Sequence, residues 1–350
     1  MIRYDKNMPF LLKYENVAWY ENGKVTILDR RIYPKEVKFV ICKSYTDVID
    51  AIKNMVTQSA GPYTAVGMAM ALAAYESRNM ANEKRIRFLE DAEYALSHAR
   101  PTTAFRYGKI TSRALKIAKD AIKHDLDPVP LIVEDTIASL NRRYKTMQMV
   151  GDNLIKLIPE NGTILTQCYG ETIVGALIVA AKREKKKFKV LCAETRPFLQ
   201  GARLTASCFA ESGFDTTVIT DNMAADVMSK GMVDLFTSAA DTITEDGSVV
   251  NKVGTYQLAL LSKFFKIPYF VTGIPDKGVK NLDQVPIEMR DPEEVLKIQG
   301  EKHSQLGVKG YYPAFDKTPA DLVRAIVTDK DIYKPEMLKT YFDQTEKDFY

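Results

Sequence analysis

The chain has 350 residues, 46% of them hydrophobic and 27% charged, with a formal net charge of +4 spread along its length. That length can bury a sizeable core and suggests two domains, whereas so weak and dispersed a charge leaves no footprint for nucleic acid. No apolar run reaches the ~18 residues that a membrane span needs. Four cysteines, at 42, 168, 192 and 208, form no C-x-x-C pair, and the three histidines are scattered, so a structural zinc site is not expected. Unpaired cysteines in a chain of this size suit a reducing cytosol, and MIRYDKNMPFLLKYE lacks the apolar core and cleavage site of a leader. A cytoplasmic protein with no membrane partner is the expectation.

Residues 1–45 read as a short β-rich segment. NVAWYENGKVTILD places two apolar stretches around Glu-Asn-Gly, a hairpin signal, and VKFVICKS supplies a third strand. SYTDVIDAIKNMVTQ opens a helix that Ser44 or Thr46 can cap, with Val48, Ile49, Ile52, Met55 and Val56 on one face. The turn Ser59-Ala60-Gly61-Pro62 comes next, then a helix rich in Ala and Met. Its start offers backbone N–H groups to an anion, making Ser59 and Ala60 candidates for phosphate; close helix packing is the alternative use of such small residues. ANEKRIRFLEDAEYALSHARPTTAFRYGKITSRALKIAKDAI reads as two helices broken at Arg100-Pro101. Arg100, beside Thr102 and Thr103, suits bidentate phosphate binding or a solvated surface. A long helix from DLDPVP onward carries the chain into the sheet.

From Gly162 to Gly273 five apolar runs alternate with amphipathic segments: GTILTQC, FKVLCAE, FDTTVITD, VDLFTSAAD and IPYFVTG. Runs of this kind suit strands buried on both faces of a parallel sheet with right-handed crossovers. Ligands bind outside the carboxyl ends of such strands, and here those ends carry Cys168, Glu194, Asp221 with Asn222, and Asp241. KREKKKFK at 182–189 reads as a solvated helix end with cations near its C-terminus. Cys168 precedes a helix start, which lowers a thiol pKa and equips it as acid or nucleophile, or it is a packed core thiol. Cys192, within a strand, and Cys208, within a helix, read as packing. Asp241 emerges from apolar surroundings that raise a carboxyl pKa, as an acid/base group does, or it caps the adjoining turn. Arg196, Gln200 and Arg203 recur within two helical turns. Asn251-Lys252-Val253-Gly254-Thr255 is expected to open the fourth helix, where a lysine and free N–H groups suit phosphate. With no G-x-G-x-x-G after a strand and no P-loop, a dinucleotide or nucleoside triphosphate has no support. After the sheet, a polar loop and short helix lead to GYYPAFDKTPADLVRAIVTDKDIYKPEML. This last stretch is expected to be a turn and then a helix capped near Thr318 with Pro319 in its first turn; a poorly ordered tail, YFDQTEKDFY, is expected after it.

Several long motifs in order, HARPTTA, GTILTQC, ETRPFLQGARLTA, ITDNMA, the AAD turn and NKVGTYQLA, give the chain a resemblance over nearly its whole length. It resembles the methylthioribose-1-phosphate isomerase family, in the superfamily shared with ribose-1,5-bisphosphate isomerase and the regulatory subunits of eukaryotic translation initiation factor 2B. The resemblance implies a Rossmann-like parallel-sheet α/β domain over 131–350, preceded by a smaller, mostly helical domain with its short β-rich start over 1–130. It assigns Cys168 and Asp241 as the acid/base pair, and Arg100, Gln200, Asn251 and Lys252 to phosphate. It implies aldose-to-ketose isomerisation of a 5-substituted ribose 1-phosphate, such as S-methyl-5-thioribose 1-phosphate or 5-deoxyribose 1-phosphate. It further implies no cofactor or metal, a sugar phosphate as the small-molecule partner, and a homodimer. The chain departs from the isomerase pattern in three places: Gln58 stands for the arginine of Arg-Gly-Ala-Pro, Ala239-Ala240-Asp241-Thr242 for Gly-Ala-Asp-Arg, and Tyr169-Gly170-Glu171 for Asn-Ala-Gly. The rival class is a non-catalytic regulatory or ligand-binding protein like the initiation-factor relatives, which has no chemical reason to keep the Cys/Asp pair.

Overall fold

A computed structural model describes residues 3–100, 104–298 and 300–343. The chain forms two compact units, one through Lys145 and one from Thr146 on.

The first unit begins with a helical turn, α1 (Tyr14–Val17), and a three-stranded antiparallel sheet of β1 (Trp19–Glu21), β2 (Lys24–Leu28) and β3 (Phe39–Cys42). The β1–β2 hairpin turns through Asn22 and Gly23, both at positive φ (49° and 73°). A Cβ on Gly23 would also stand 2.3 Å from the Tyr75 ring, so only glycine fits. Helix α2 (Tyr45–Lys53) starts with a capping box: Ser44 Oγ accepts from Asp47 N, and the Asp47 carboxylate accepts from Ser44 N. Helix α3 (Gly61–Glu76) is apolar all round and is buried along most of its length. Helices α4 (Asn82–Ser97), α5 (Ala104–Lys123) and α6 (Pro128–Leu154) come next, and the division between the units falls within α6. Gly67 lets α3 lie against α6, because a Cβ there would meet Thr136 Oγ1 at 2.6 Å. Thr102 and Thr103, proposed beside Arg100, lie outside the described residues.

The second unit is built on a seven-stranded sheet in the order β15-β14-β10-β7-β4-β5-β6. Its strands are β4 (Thr163–Gln167), β5 (Lys189–Ala193), β6 (Asp215–Ile219), β7 (Leu235–Ala239), β10 (Tyr269–Thr272), β14 (Ala325–Val327) and β15 (Ile332–Tyr333). All neighbours pair in parallel except β14 and β15. Helices α7 (Glu171–Glu184), α8 (Ala206–Glu211), α9 (Ala224–Ser229) and α10 (Thr255–Phe264) make the crossovers. The five apolar runs between 162 and 273 are thus the five strands expected, and their alternation with helices gives the α/β class.

Three expectations fail. First, β8 (Thr242–Ile243), β9 (Val249–Lys252) and β13 (Phe315–Thr318) make a second, antiparallel sheet, so Asn251 and Lys252 stand on a strand and α10 opens only at Thr255. Second, Pro319 starts no helix beyond one 3-10 turn, Ala320–Leu322. Ala325–Val327 is instead a sheet strand with every residue buried, because three consecutive apolar residues between sheet neighbours gain more from two-sided burial than a helix face offers. Third, part of the tail is ordered: α12 (Lys339–Asp343) buries Tyr341. Residues 344–350 lie outside the described residues. The remaining excursion carries α11 (Glu293–Leu296) and the two-residue strands β11 (Lys297–Ile298) and β12 (Glu301–Lys302). Among the described residues no helix is long and apolar enough to cross a membrane.

Candidate active site

The sheet order reverses between β4 and β7. The chain runs β4, β5, β6 to one side and then β7, β10, β14 to the other, which makes the gap beyond the carboxyl ends of β4 and β7 the topological switch point. Cys168 comes directly after β4, and Asp241 lies just past β7. The turns touch: a Cβ on Gly170 would lie 2.7 Å from Ala239 Cβ, so the Cys168–Glu171 turn needs glycine to pass the end of β7.

Cys168 sits at φ 58°, in the left-handed region that L-residues avoid. Neither sheet nor helix satisfies its backbone. Its N–H donates to Thr195 Oγ1 at 2.7 Å, and its carbonyl accepts from Thr205 Oγ1 at 2.5 Å. Thr195 is itself strained at φ 66°, a rare state for a β-branched residue. It is held by the Asp221 carboxylate, which accepts from the N–H groups of Thr195 and Arg196, each at 2.8 Å. Asp221 thus braces the neighbouring turn as well as preceding α9. Beside it, Gly201 meets the sheet edge so closely that a Cβ would fall 1.8 Å from Ala193 O.

The expectation that a helix start lowers the Cys168 pKa is overturned. Burial pushes the thiol up to about 11, and the nearby Asp241 charge adds to the rise against the opposing pull of Lys252 and Arg290. Desolvation outweighs the cations because a thiolate loses its hydration before it gains a compact partner. The thiol therefore keeps its proton at neutral pH. Cys192 behaves as the packing residue expected, buried and pushed to about 12; Cys208 is buried as well, and all four cysteines are free thiols. Asp241 is exposed at the mouth of the switch point, not enclosed by apolar neighbours. Its backbone N–H is tied to Val250 O at 3.0 Å, and its charge reaches Cys168.

Asn251 and Lys252 are buried on β9, with 5% and 4% exposure. Lys252 Nζ donates to Ala314 O at 2.8 Å and lies 4.7 Å from the Phe315 ring centre. Thr255 Oγ1 is the hub of this corner. It accepts from Gln167 Nε2 and Asn251 Nδ2 and donates to Lys252 O, so the last residue of β4 is wired to both phosphate candidates. Gln200 is buried too, and its Oε1 has no hydrogen-bond partner among the described residues. An unsatisfied buried amide oxygen marks a place where a donor, such as a ligand hydroxyl, completes the bonding.

Two residues that shape the site, Asp316 and Arg290, escape the sequence reading; Thr195 and Thr205 lie within the motif ETRPFLQGARLTA, which does not mark them as the groups that hold the Cys168 turn. Asp316 pairs with Asn251 in the β9–β13 register. Its Oδ2 accepts from Gly254 N at 2.6 Å and Tyr256 N at 3.1 Å, which fixes the start of α10. Burial raises its carboxyl to about 6. Arg290 and Tyr312 are joined by an Arg290 N–H bond to Tyr312 O at 2.9 Å, and both stand within electrostatic reach of the Cys168 thiol.

Ser59, Ala60 and Arg100 lie in the helical unit. Ser59 is exposed at φ 57°, Ala60 is the residue before α3, and Arg100 is half-buried. Gln58 is buried and turned inward: its Nε2 donates to Met55 O at 3.1 Å, its carbonyl accepts from Arg30, and its Oε1 has no hydrogen-bond partner among the described residues. No group of three or more potential metal ligands occurs among the described residues.

Two units of this kind, with a thiol and a carboxylate flanking the switch point, define a family. The profile of the Initiation factor 2 subunit family matches residues 58–335, and the chain belongs to that family. Within it the chain stands with the isomerases. It is 36% identical to methylthioribose-1-phosphate isomerase 1 of Pseudothermotoga lettingae, over 91% of this chain and 94% of that one. It is also 36% identical to a methylthioribose-1-phosphate isomerase of Chloroflexus aurantiacus, over 92% and 96%. The crystal structure of 5-methylthioribose 1-phosphate isomerase from Pyrococcus horikoshii superposes with a TM-score of 0.83 at 30% identity, covering 98% of this chain and all of that one. The delta subunit of the translation initiation factor eIF-2B from A. fulgidus superposes at 0.78 with 28% identity, over 93% and 99%.

Proposed function

We propose that the protein is a cytoplasmic aldose–ketose isomerase acting on S-methyl-5-thioribose 1-phosphate, or on a close analogue such as 5-deoxyribose 1-phosphate, in methionine salvage. The observation that carries the reading is the pairing of a protonated thiol with a carboxylate at the point where the sheet order reverses. A phosphorylated anomeric carbon holds the ring closed, so an acid must protonate the ring oxygen as the C1–O bond breaks. Cys168, neutral at pH 7, is suited to give that proton. Asp241 is suited to take the proton of the C2 hydroxyl as hydrogen passes from C2 to C1, leaving a C2 carbonyl and a C1 methylene that bears the phosphate. Solvent then returns the proton from Asp241 to Cys168. The enediol route uses the same two groups. Asn251, Lys252 and Gln200 are the ligands proposed on the sheet unit, and Arg100, Ser59 and Ala60 those on the helical unit.

Incubation with each of the two sugar phosphates, followed by detection of the ketose, tests the proposal. Formation of either ketose supports it. No turnover of either, with sugar phosphates still raising Tm, assigns the chain to the ligand-binding class instead. The inward-facing Gln58 is the feature that favours this second reading, because it withholds the cation that the isomerase pattern carries there. A homodimer is part of the same proposal. On α10, Tyr256, Leu260 and Phe264 form one outward row and are 39%, 45% and 78% exposed, an apolar stripe suited to pairing with a second copy. Phe264→Glu is expected to shift the mass measured by light scattering from dimer to monomer.

A further inference from the structure

Tyr312 carries a hydroxyl that the fold leaves unused. The side chain is 2% exposed, and its Oη is buried with no hydrogen-bond partner among the described residues. A buried hydroxyl without a partner is uncommon, because nothing repays its desolvation. The Arg290 guanidinium acts on this phenol, but an arginine only donates, so the phenol proton still has no acceptor. Burial pushes the phenol up to about 12, and the proton is therefore in place at neutral pH.

Backbone bonds fix where this hydroxyl stands. Arg290 N–H donates to Tyr312 O at 2.9 Å, and two residues further on Ala314 O accepts from Lys252 Nζ at 2.8 Å. The Tyr312 ring packs against Phe198, with ring centres 6.3 Å apart. Phe198 is three residues past Thr195, which takes the Cys168 N–H, and the Cys168 thiol is within electrostatic reach of the phenol. Gln200, on the same loop as Phe198, leaves its buried Oε1 without a donor. The surroundings of Cys168 thus hold one buried hydroxyl lacking an acceptor and one buried amide oxygen lacking a donor, and the two do not bond to each other. A ligand hydroxyl, which both donates and accepts, is the chemistry that serves both. An ionised phosphate oxygen suits the phenol but not the amide oxygen, since both oxygens then only accept.

We propose that Tyr312 is a sugar-binding residue whose O–H donates to a hydroxyl oxygen of the sugar phosphate beside Cys168. The inference rests on the reading of this corner as a sugar-phosphate site, and it adds a group that reads the sugar rather than its phosphate.

Tyr312→Phe removes the hydroxyl and keeps the ring against Phe198. The test is calorimetric titration of the full chain with S-methyl-5-thioribose 1-phosphate and, separately, with inorganic phosphate, in an Asp241→Asn background that removes the proposed base. Tyr312→Phe is expected to weaken the sugar phosphate about threefold to tenfold, the worth of one hydrogen bond, and to leave any affinity for inorganic phosphate unchanged. Tm is expected to stay equal or to rise, because an unsatisfied buried hydroxyl is gone. Four results would each overturn the proposal: no binding of the sugar phosphate to the parent chain, equal affinity with and without the hydroxyl, an equal loss for inorganic phosphate, or a Tm lowered by several degrees. Ketose formation, assayed with Asp241 intact, separates this contact from the isomerase reading. Binding that depends on Tyr312 without any ketose sinks the isomerase reading alone, whereas ketose formation with binding unchanged in Tyr312→Phe sinks only the Tyr312 contact.

Discussion

Two turns of this protein hold residues at positive φ beside candidate site groups, and they are stabilised by opposite means. In the sheet unit the Cys168 turn is held by neutral groups: Thr195 takes its N–H and Thr205 gives to its carbonyl, while Gln167 and Thr255 tie the neighbouring strand end. In the helical unit the turn at 58–60 is held by cations. Arg30, wholly buried, donates to Gln58 O and Leu11 O, and Arg143 donates to Ala60 O. Neutral bracing keeps the cations that act on the thiol, Lys252 and Arg290, out of the turn itself and lets burial dominate the thiol pKa. Cationic bracing gives backbone carbonyls charge-assisted donors where water does not reach them. The first arrangement leaves the thiol pKa to burial, and the second fixes the backbone of the turn.

The contrast is probed most severely at the proposed acid/base pair, Cys168 and Asp241. Cys168→Ala and Asp241→Asn are each expected to lower kcat/KM for the sugar phosphate by roughly 10²–10⁴, the range for removal of a general acid or base, with Tm nearly unchanged. If both variants keep most of their rate, the neutral-braced turn is not where the chemistry occurs. Next in size is Arg30→Met, which removes the buried donor of Leu11 O and leaves Gln58 O with its bond from Gly61 N alone. It is expected to cost about 2 kcal/mol in urea unfolding, by the penalty of roughly 1–3 kcal/mol for an orphaned acceptor. A loss no larger than that of a surface substitution would mean that the cations do not hold the 58–60 turn.

Thr195→Val keeps shape but removes the acceptor for Cys168 N. It is expected to reduce kcat about tenfold with KM little changed, whereas Thr195→Ser restores the rate; this order of effect follows from displacing a catalytic group without removing it. An equal loss in both variants would place the role of Thr195 in packing.

The smallest effect concerns Asp316. Its carboxyl rises from 3.8 to about 6 on folding, so the folded state holds a proton that the unfolded state has released across that interval. The stability linked to this group is therefore greatest at low pH and declines as pH climbs from about 4 to 6. Asp316→Asn, which still offers an oxygen to Gly254 N, is expected to flatten that part of the stability–pH curve measured by thermal unfolding. A variant curve with the wild-type slope would show that this carboxyl does not titrate there.

Much of the sheet unit was legible in the residues. The apolar runs ending at Cys168 and Asp241 identified strands and their parallel pairing, because a strand buried on both faces leaves an unbroken apolar signature. The region from Asn251 to Gly254 was misread, since a lysine before a glycine looks like a helix start until β13 arrives from more than sixty residues later to pair with it. TPADLVRAIV was misread for a related reason: Ala325–Val327 is long enough for a strand and also fits a helix face, and only the neighbouring β10 decides between them.

Composition, periodicity and motif order by themselves determined the α/β class and put Cys168 and Asp241 just beyond the carboxyl ends of sheet strands, because those features are written within short stretches of chain. Tertiary structure alone decided that the thiol stays protonated, that Asp241 faces solvent, that Thr195 and Thr205 hold the cysteine turn, and that Arg143 is buried against Ala60 O and Thr64 Oγ1. Each of these depends on what distant residues bring to within a few ångströms. Desolvation and hydrogen bonding are properties of that surrounding, and no local pattern of residues encodes them.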